Sequence, residues 1–225
     1  MKYIMNVENE AETIKQPYDV LYYIKPLGSM KIITTPRYTA IDLGLPSGRL
    51  WANMNVGAEK ETDYGLYFQW GDTVGYADAS HSTVDTYLGG GLDSDSLTAW
   101  DTANLLDGIL KPEVDAATVN MGSKWRMPTG KEGVELWENT NYEVAEINGV
   151  KGGKFISKTD ASKYIFLPFA GAAVNGSFEG QELGTFNWRN STSNHEDAYL
   201  VAFDENGFID GAFHRYYALP VRGVC

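Results

Sequence analysis

The sequence holds a single cysteine, Cys225. Without a second thiol, an internal disulfide and a thiolate metal site are both excluded, so stability has to come from a packed core. Cys225 itself reads as a free terminal thiol. Histidine is almost as scarce: His81, His195 and His214 lie far apart, and none forms an H-x-x-x-H pair. Basic charge is thin, with 18 Lys and Arg against 30 Asp and Glu and a formal net charge of -12. No basic stripe exists to neutralise phosphates, which argues against nucleic acid. The same deficit argues against an anionic membrane surface. No apolar run approaches transmembrane length, so membrane insertion is not expected. Residues 1–20 have no continuous apolar leader region, so the chain is expected in the cytosol, in a particle that leaves the cell, or with its leader already removed.

Aromatics are plentiful instead, with 14 Tyr and 6 Trp. They suit a β-rich core, and they equally suit a binding surface, where Tyr and Trp give contact area at low entropic cost. Residues 1–37 stand apart, with short apolar patches broken by Pro17, Pro26 and Pro36. They read as an arm or connector, or as a first strand pair of the main domain. That domain is expected over residues 38–225. Strands are predicted at 40–43, 50–54 and 64–70, with a turn at 45–48. Residues 77–96, polar and glycine-rich, read as a surface loop.

Two helices are predicted. One begins near Asp115. The other follows Pro128 at Thr129 and Glu132, a capping box, and runs to about Asn139 with Val134 and Trp137 on one face. Asn148-Gly149 signals a hairpin. Residues 163–169 read as a strand that Pro168 limits to an edge or end. Residues 204–207 join strands 199–203 and 208–209, and 215–221 would be the closing strand. Many short strands, two helices and long loops predict an α+β or mainly β domain, with α+β the class taken.

Chemistry finds little support. Ser191, Ser193, His195 and Asp197 are close in sequence, but a triad needs geometry that adjacent loop residues rarely supply, and no G-x-S-x-G elbow exists. Asp93, Asp95 and Asp101 offer oxygen ligands of the kind calcium takes, yet acids in such a loop are usually solvated. No metal and no cofactor are expected. Trp188, Tyr199, Phe213, Tyr216 and Tyr217 could offer flat faces to a sugar, with Asn187, Asn190, Asn194, Asp197 and Asp210 as hydrogen-bond partners. Within 198–203, Tyr199, Val201 and Phe203 share one face, Ala198, Leu200 and Ala202 the other. The first set fits a core at least as well as a site.

Several motifs occur in order: IDLGL (41–45), LWANMNVG (50–57), YGLYFQWG (64–71), DAATVNMG (115–122), KWRMPT (124–129), IFLP (165–168) and RYYALPVR (215–222). Together they resemble the C-type-lectin-like domains of gut-bacterial surface proteins and their phages, over about residues 38–224. They are more distantly similar to the fold of formylglycine-generating enzymes. The chain departs from the family pattern at Met121, where Trp is usual, at Gly133, where an aromatic is common, and at Gly223, where Pro is usual. Trp137 is expected to fill the space over Gly133. No cysteine pair matches the catalytic pair of formylglycine-generating enzymes, so that activity is not carried over. The calcium-site tripeptides of C-type lectins are also missing.

One branch of this family comprises the variable proteins of diversity-generating retroelements, in which adenine-directed changes randomise Asn codons of the C-terminal segment. Residues 184–225 resemble such a segment. Asn187, Arg189, Asn190, Ser191, Thr192, Ser193, Asn194, His195 and Asp197 are residue types this process reaches, as are Asp210, Phe213, His214 and Tyr216. These thirteen are the expected ligand-binding residues, with Trp188 and Glu196 as framework. The implied function is non-enzymatic recognition of a protein or glycan receptor on a cell surface. A bacterial adhesin or carbohydrate-binding module is the alternative.

Overall fold

Turn residues cut this chain into short strands, and their positions set the architecture. The computed structural model describes residues 38–89 and 93–225, of which Tyr38–Cys225 is one unit. The expected arm at 1–37 lies outside the described residues. Strands β1 (Ala40–Ile41) and β2 (Trp51–Ala52) pair across the predicted 45–48 turn, which Gly48 N–H closes on Leu45 O at 2.8 Å. Strand β3 (Tyr67–Gln69) is shorter than expected. Residues 64–66 are drawn elsewhere: Asn55 Nδ2 donates to Tyr64 O (2.9 Å), and Leu66 N–H to Val56 O (2.8 Å).

Helix α1 (Ser94–Asn104) begins inside the region read as a loop. Asp93 is its N-cap, accepting from Ser96 N–H at 2.8 Å, so the Asp-Ser pattern that suggested a loop is a helix start. A tight hairpin follows, β4 (Leu105–Leu106) and β5 (Ile109–Leu110). Helix α2 (Ala116–Met121) is capped by Asp115 through Thr118 N–H at 2.9 Å. Helix α3 (Gly130–Asn139) starts at the predicted capping box, with Thr129 N–H donating to Glu132 Oε2 at 2.8 Å. Among the described residues there are three α-helices where two helices were expected. On α3 the buried face is Glu132, Gly133 and Leu136, while Val134 faces solvent. The space over Gly133 is filled by Val201, not Trp137: a Cβ there would meet Val201 Cγ2 at 2.7 Å.

Strands β6 (Thr140–Ile147) and β7 (Val150–Ser157) turn at Asn148-Gly149, both at positive φ (51° and 78°), as a tight primed turn requires. Strand β8 (Tyr164–Pro168) lies at the edge of this sheet, where proline is tolerated. Then come β9 (Ala172–Val174), β10 (Ser177–Glu179), β11 (Gly184–Thr192), β12 (Asp197–Asp204), β13 (Gly207–His214) and β14 (Ala218–Pro220). The larger sheets run β13-β12-β11-β5-β4, β10-β9-β14-β3 and β6-β7-β8. Over the described residues the protein is α+β, built mostly of antiparallel sheets with three α-helices. The closing strand is only β14. Residues 215–217 form a turn, with Tyr217 N–H on His214 O at 2.9 Å.

Strand β12 is buried on both faces beyond Tyr199. Ala198, Leu200 and Ala202 join one core cluster with Trp70, Trp188 and Leu219. Val201 and Phe203 join a second with Leu136, Phe155 and Ile165. Two indoles cross-tie β11 to the β3 region: Trp188 Nε1 donates to Phe68 O (2.7 Å) and Trp70 Nε1 to Arg189 O (2.8 Å).

Candidate functional site

The predicted ligand-binding residues divide by depth. Asn187, Arg189 and Asn190 are buried, at 3%, 6% and 5% exposure, because they belong to β11 and not to a loop. Their expected role as contact residues is corrected accordingly. Asn187 Nδ2 donates to Thr185 Oγ1 at 2.9 Å. Arg189 is packed under α3, where a Cβ on Gly130 would lie 2.7 Å from its Nη1, and its Nη2 reaches Asp210 Oδ1 at 2.6 Å. Trp188 is fully buried, as expected of framework, and offers no face to a ligand.

Ser191 and Thr192 are half-buried at the end of β11, and residues 193–196 form the connection to β12. Asn194 organises this connection as an Asx turn. Its Oδ1 accepts from Glu196 N–H (2.7 Å) and Asp197 N–H (2.8 Å), and its Nδ2 donates to Asp197 Oδ2 (2.8 Å).

Arg215, missed by sequence reasoning, holds the connection from beneath. It is only 1% exposed. Its Nη2 donates to Thr192 Oγ1 at 2.6 Å and to Asn194 O at 2.8 Å, and its guanidinium lies over the Trp70 ring, 4.7 Å from the centroid. Its Nη1 meets Asp101 Oδ1 on α1 at 2.6 Å. The signal available in the sequence was an arginine, within RYYALPVR, that the resemblance treated only as motif.

Both ring nitrogens of His195 face α1, Nδ1 3.3 Å from Asp101 Oδ2 and Nε2 3.0 Å from Ser94 O. His195 is therefore engaged with helix groups and not with Ser191 or Ser193. Asp93, Asp95 and Asp101 are not gathered either: Asp93 caps α1, and Asp101 is committed to Arg215 and His195.

Half-exposed rings line the turn after β13. His214 stacks on Tyr216 (centroids 5.1 Å, planes 11° apart), and Tyr217 meets Tyr216 edge-on at 4.9 Å. Phe213 continues the row, 5.9 Å from Tyr217 and 5.6 Å from Phe186. His214 Nδ1 lies 2.8 Å from Asp197 Oδ1, off the line of a hydrogen bond. By register, His214, Ala212 and Asp210 share a face with Asp197, Tyr199 and Val201, while Phe213 projects from the other face. Tyr199 is 37% exposed, with the Arg189 guanidinium 5.7 Å from its ring. The thirteen residues thus become a buried trio, a pinned connection and a ring-lined turn.

Two depressions border these elements. A groove of about 440 Å³ beside the Arg189–Asp210 pair is lined by Gly130, Val134, Glu135 and Glu138. A cleft of about 820 Å³ on the other side of α1 is lined by Asp72, Tyr76, His81, Asp85 and Trp100, none of them predicted. It went unseen in the sequence because the start of α1 fell inside the 77–96 stretch read as loop and the rest of the helix was not predicted. No protein-family model, no curated protein and no solved structure matches this chain.

Proposed function

We propose that this chain is a non-enzymatic recognition protein whose contact surface comprises the 193–196 connection, the exposed end of β12–β13 and the turn at 215–217. The observation that carries this reading is the row of half-exposed rings at His214, Tyr216 and Tyr217 beside a connection pinned by buried Arg215. Interchangeable polar and aromatic side chains on a fixed backbone lose little freedom on binding. The ring-bearing turn supplies area, and Ser193, Asn194 and Asp197 supply hydrogen-bonding groups.

The finer assignment in this proposal is a C-type-lectin-like domain, diversified in its C-terminal segment and carried on a phage tail or a cell surface. It rests on the ordered motifs from 41–45 to 215–222, and two departures from the family pattern, Met121 and Gly223, pack against each other. A Cβ on Gly223 would lie 2.6 Å from Met121 Sδ, so glycine at one site accommodates methionine at the other. The receptor is a cell-surface protein or glycan, and no cofactor takes part. The alternative of an adhesin or sugar-binding module draws on the exposed ring of Tyr199.

The test is Tyr216→Ala against a panel of cell-surface proteins and a glycan array. Binding should fall at least tenfold while the melting temperature shifts by a few degrees at most, since Tyr216 is half-exposed in a turn. A large loss of stability with unaltered binding would make Tyr216 structural and overturn the reading.

A further inference from the structure

Among the described residues the outer edge of β13 is open. It closes the five-stranded sheet on one side, and among the described residues no strand pairs with it. The ladder to β12 fixes which groups face outward. Arg215 N–H bonds Glu196 O at 3.0 Å, in continuation of the β12–β13 register. Hydrogen-bonded pairs alternate along an antiparallel ladder. The pairs 198/213, 200/211, 202/209 and 204/207 are therefore the bonded ones, and Phe208, Asp210 and Ala212 turn their N–H and C=O groups away from β12.

Natural edge strands are usually blunted by lysine, proline, a bulge or short length. The β13 sequence, GFIDGAFH, has eight residues with no lysine and no proline, and its register against β12 is unbroken. Its one acidic charge, Asp210, is 65% exposed.

We infer that β13 is a docking edge for an extended, cationic segment of a protein partner, which adds to the sheet as a further antiparallel or parallel strand. This deepens the proposed recognition surface and rests on it: it makes the receptor a protein, gripped by its backbone. Main-chain bonds to Phe208, Asp210 and Ala212 tolerate sequence change in the surrounding side chains. The cationic character follows from the charges beside the edge. Asp210 and Glu205 are already paired, with Arg189 and Lys151, but Glu135 and Glu138, which line the groove next to Asp210, have no ion-pair partner among the described residues, and the whole chain carries a net charge of -12.

A second copy of the chain fits poorly. In antiparallel self-pairing, the outward groups of 208, 210 and 212 must bond one another. Each register that bonds more than one of these three residues brings Asp210 opposite or diagonal to its own copy, where like charges repel.

The test uses the full chain and a random-sequence peptide display library. Peptides enriched by panning should be net cationic. In an amide-resolved hydrogen-exchange experiment they should protect Phe208, Asp210 and Ala212. Ala212→Pro removes one outward N–H without touching the β12 ladder, and should weaken those peptides at least tenfold with little change in melting temperature. Four outcomes would overturn the inference: no enriched peptide, binding without protection of these three amides, unaltered binding to Ala212→Pro, or protection already present in the chain alone. The last would place residues 1–37 or a second copy on the edge. Peptides that depend on Tyr216 yet leave the edge amides unprotected would sink the docking edge while keeping the recognition surface. If Ala212→Pro unfolds, the amide pattern alone decides.

Discussion

Arg215 Nη1 lies 2.6 Å from Asp101 Oδ1, joining the turn after β13 to helix α1 across 114 positions of sequence. The guanidinium is buried while the carboxylate keeps 21% of its exposure, so the pair is neither a surface bridge nor a sealed one. Its second nitrogen holds the 193–196 connection. Asp101→Ala leaves a buried cation without its counter-charge and should cost about 2–3 kcal/mol, below the full penalty of a sealed pair. Denaturant unfolding would measure this. Amide exchange at residues 193–197 should quicken in the same variant, and unchanged exchange there would show that Arg215 does not organise the connection.

Helix α3 approaches β12 most closely at Gly133, where an added Cβ would lie 2.7 Å from Val201 Cγ2. Alanine favours helix over glycine by about 1 kcal/mol, but overpacking a filled core costs about 1–3 kcal/mol. Gly133→Ala should therefore be net destabilising, and Val201→Ala should relieve the clash. A double-mutant cycle by thermal unfolding should return a favourable coupling of about 1 kcal/mol or more between the two changes. Additive losses would mean that the helix simply shifts outward.

Local rules carried much of the fold. The Thr129 capping box, the Asn148-Gly149 turn and the placement of Pro168 at an edge all rest on the geometry of one or a few residues, and each stands where expected. What failed depends on neighbours distant in sequence. Composition cannot tell that Asn187 and Arg189 are covered, because the cover comes from α3 and the Trp70 tie. A period-two reading of 185, 187 and 189 beside buried Trp188 would have marked a strand. Spacing puts Val134 on one face with Trp137, yet Val134 is exposed while Trp137 packs on the core, because glycine at 133 lets the other flank of the helix approach β12. Arg215 was invisible as an organiser, since its partners Asp101, Thr192 and Asn194 come together only through the fold.

Glu132 offers a pH test. Burial alone would raise its pKa, but hydrogen bonds from Arg126 and Thr129 outweigh this and hold the carboxyl below its usual value. A carboxylate with a lowered folded-state pKa stabilises above its unfolded value, and that contribution is lost as pH falls through the folded one. Unfolding midpoints measured from about pH 7 down to about pH 3, spanning the ordinary glutamate range, should fall more steeply in the parent than in Glu132→Gln. The variant should start lower at neutral pH, having lost the Arg49 and Arg126 contacts at 2.6 Å. Parallel curves would show that Glu132 contributes nothing to acid sensitivity.

Arg222 is fully buried with no carboxylate within bonding reach among the described residues, and its guanidinium is spent on neutral acceptors. Nε donates to Asn55 Oδ1 (2.9 Å), Nη1 to Ala52 O (2.8 Å) and Nη2 to Phe166 O (2.8 Å). One side chain thus ties the segment after β2, the end of β2 itself and β8. Lysine has no planar fork and cannot reach three acceptors in these directions. Methionine fills similar space but orphans all three acceptors, each at about 1–3 kcal/mol. Both Arg222→Lys and Arg222→Met should lose at least about 3 kcal/mol in denaturant unfolding, with methionine no better than lysine. If methionine were instead stabilising, as when a buried charge is replaced by good apolar packing, desolvation of the guanidinium would outweigh its three bonds, and Arg222 would be a cost the fold carries and not a tie that holds it.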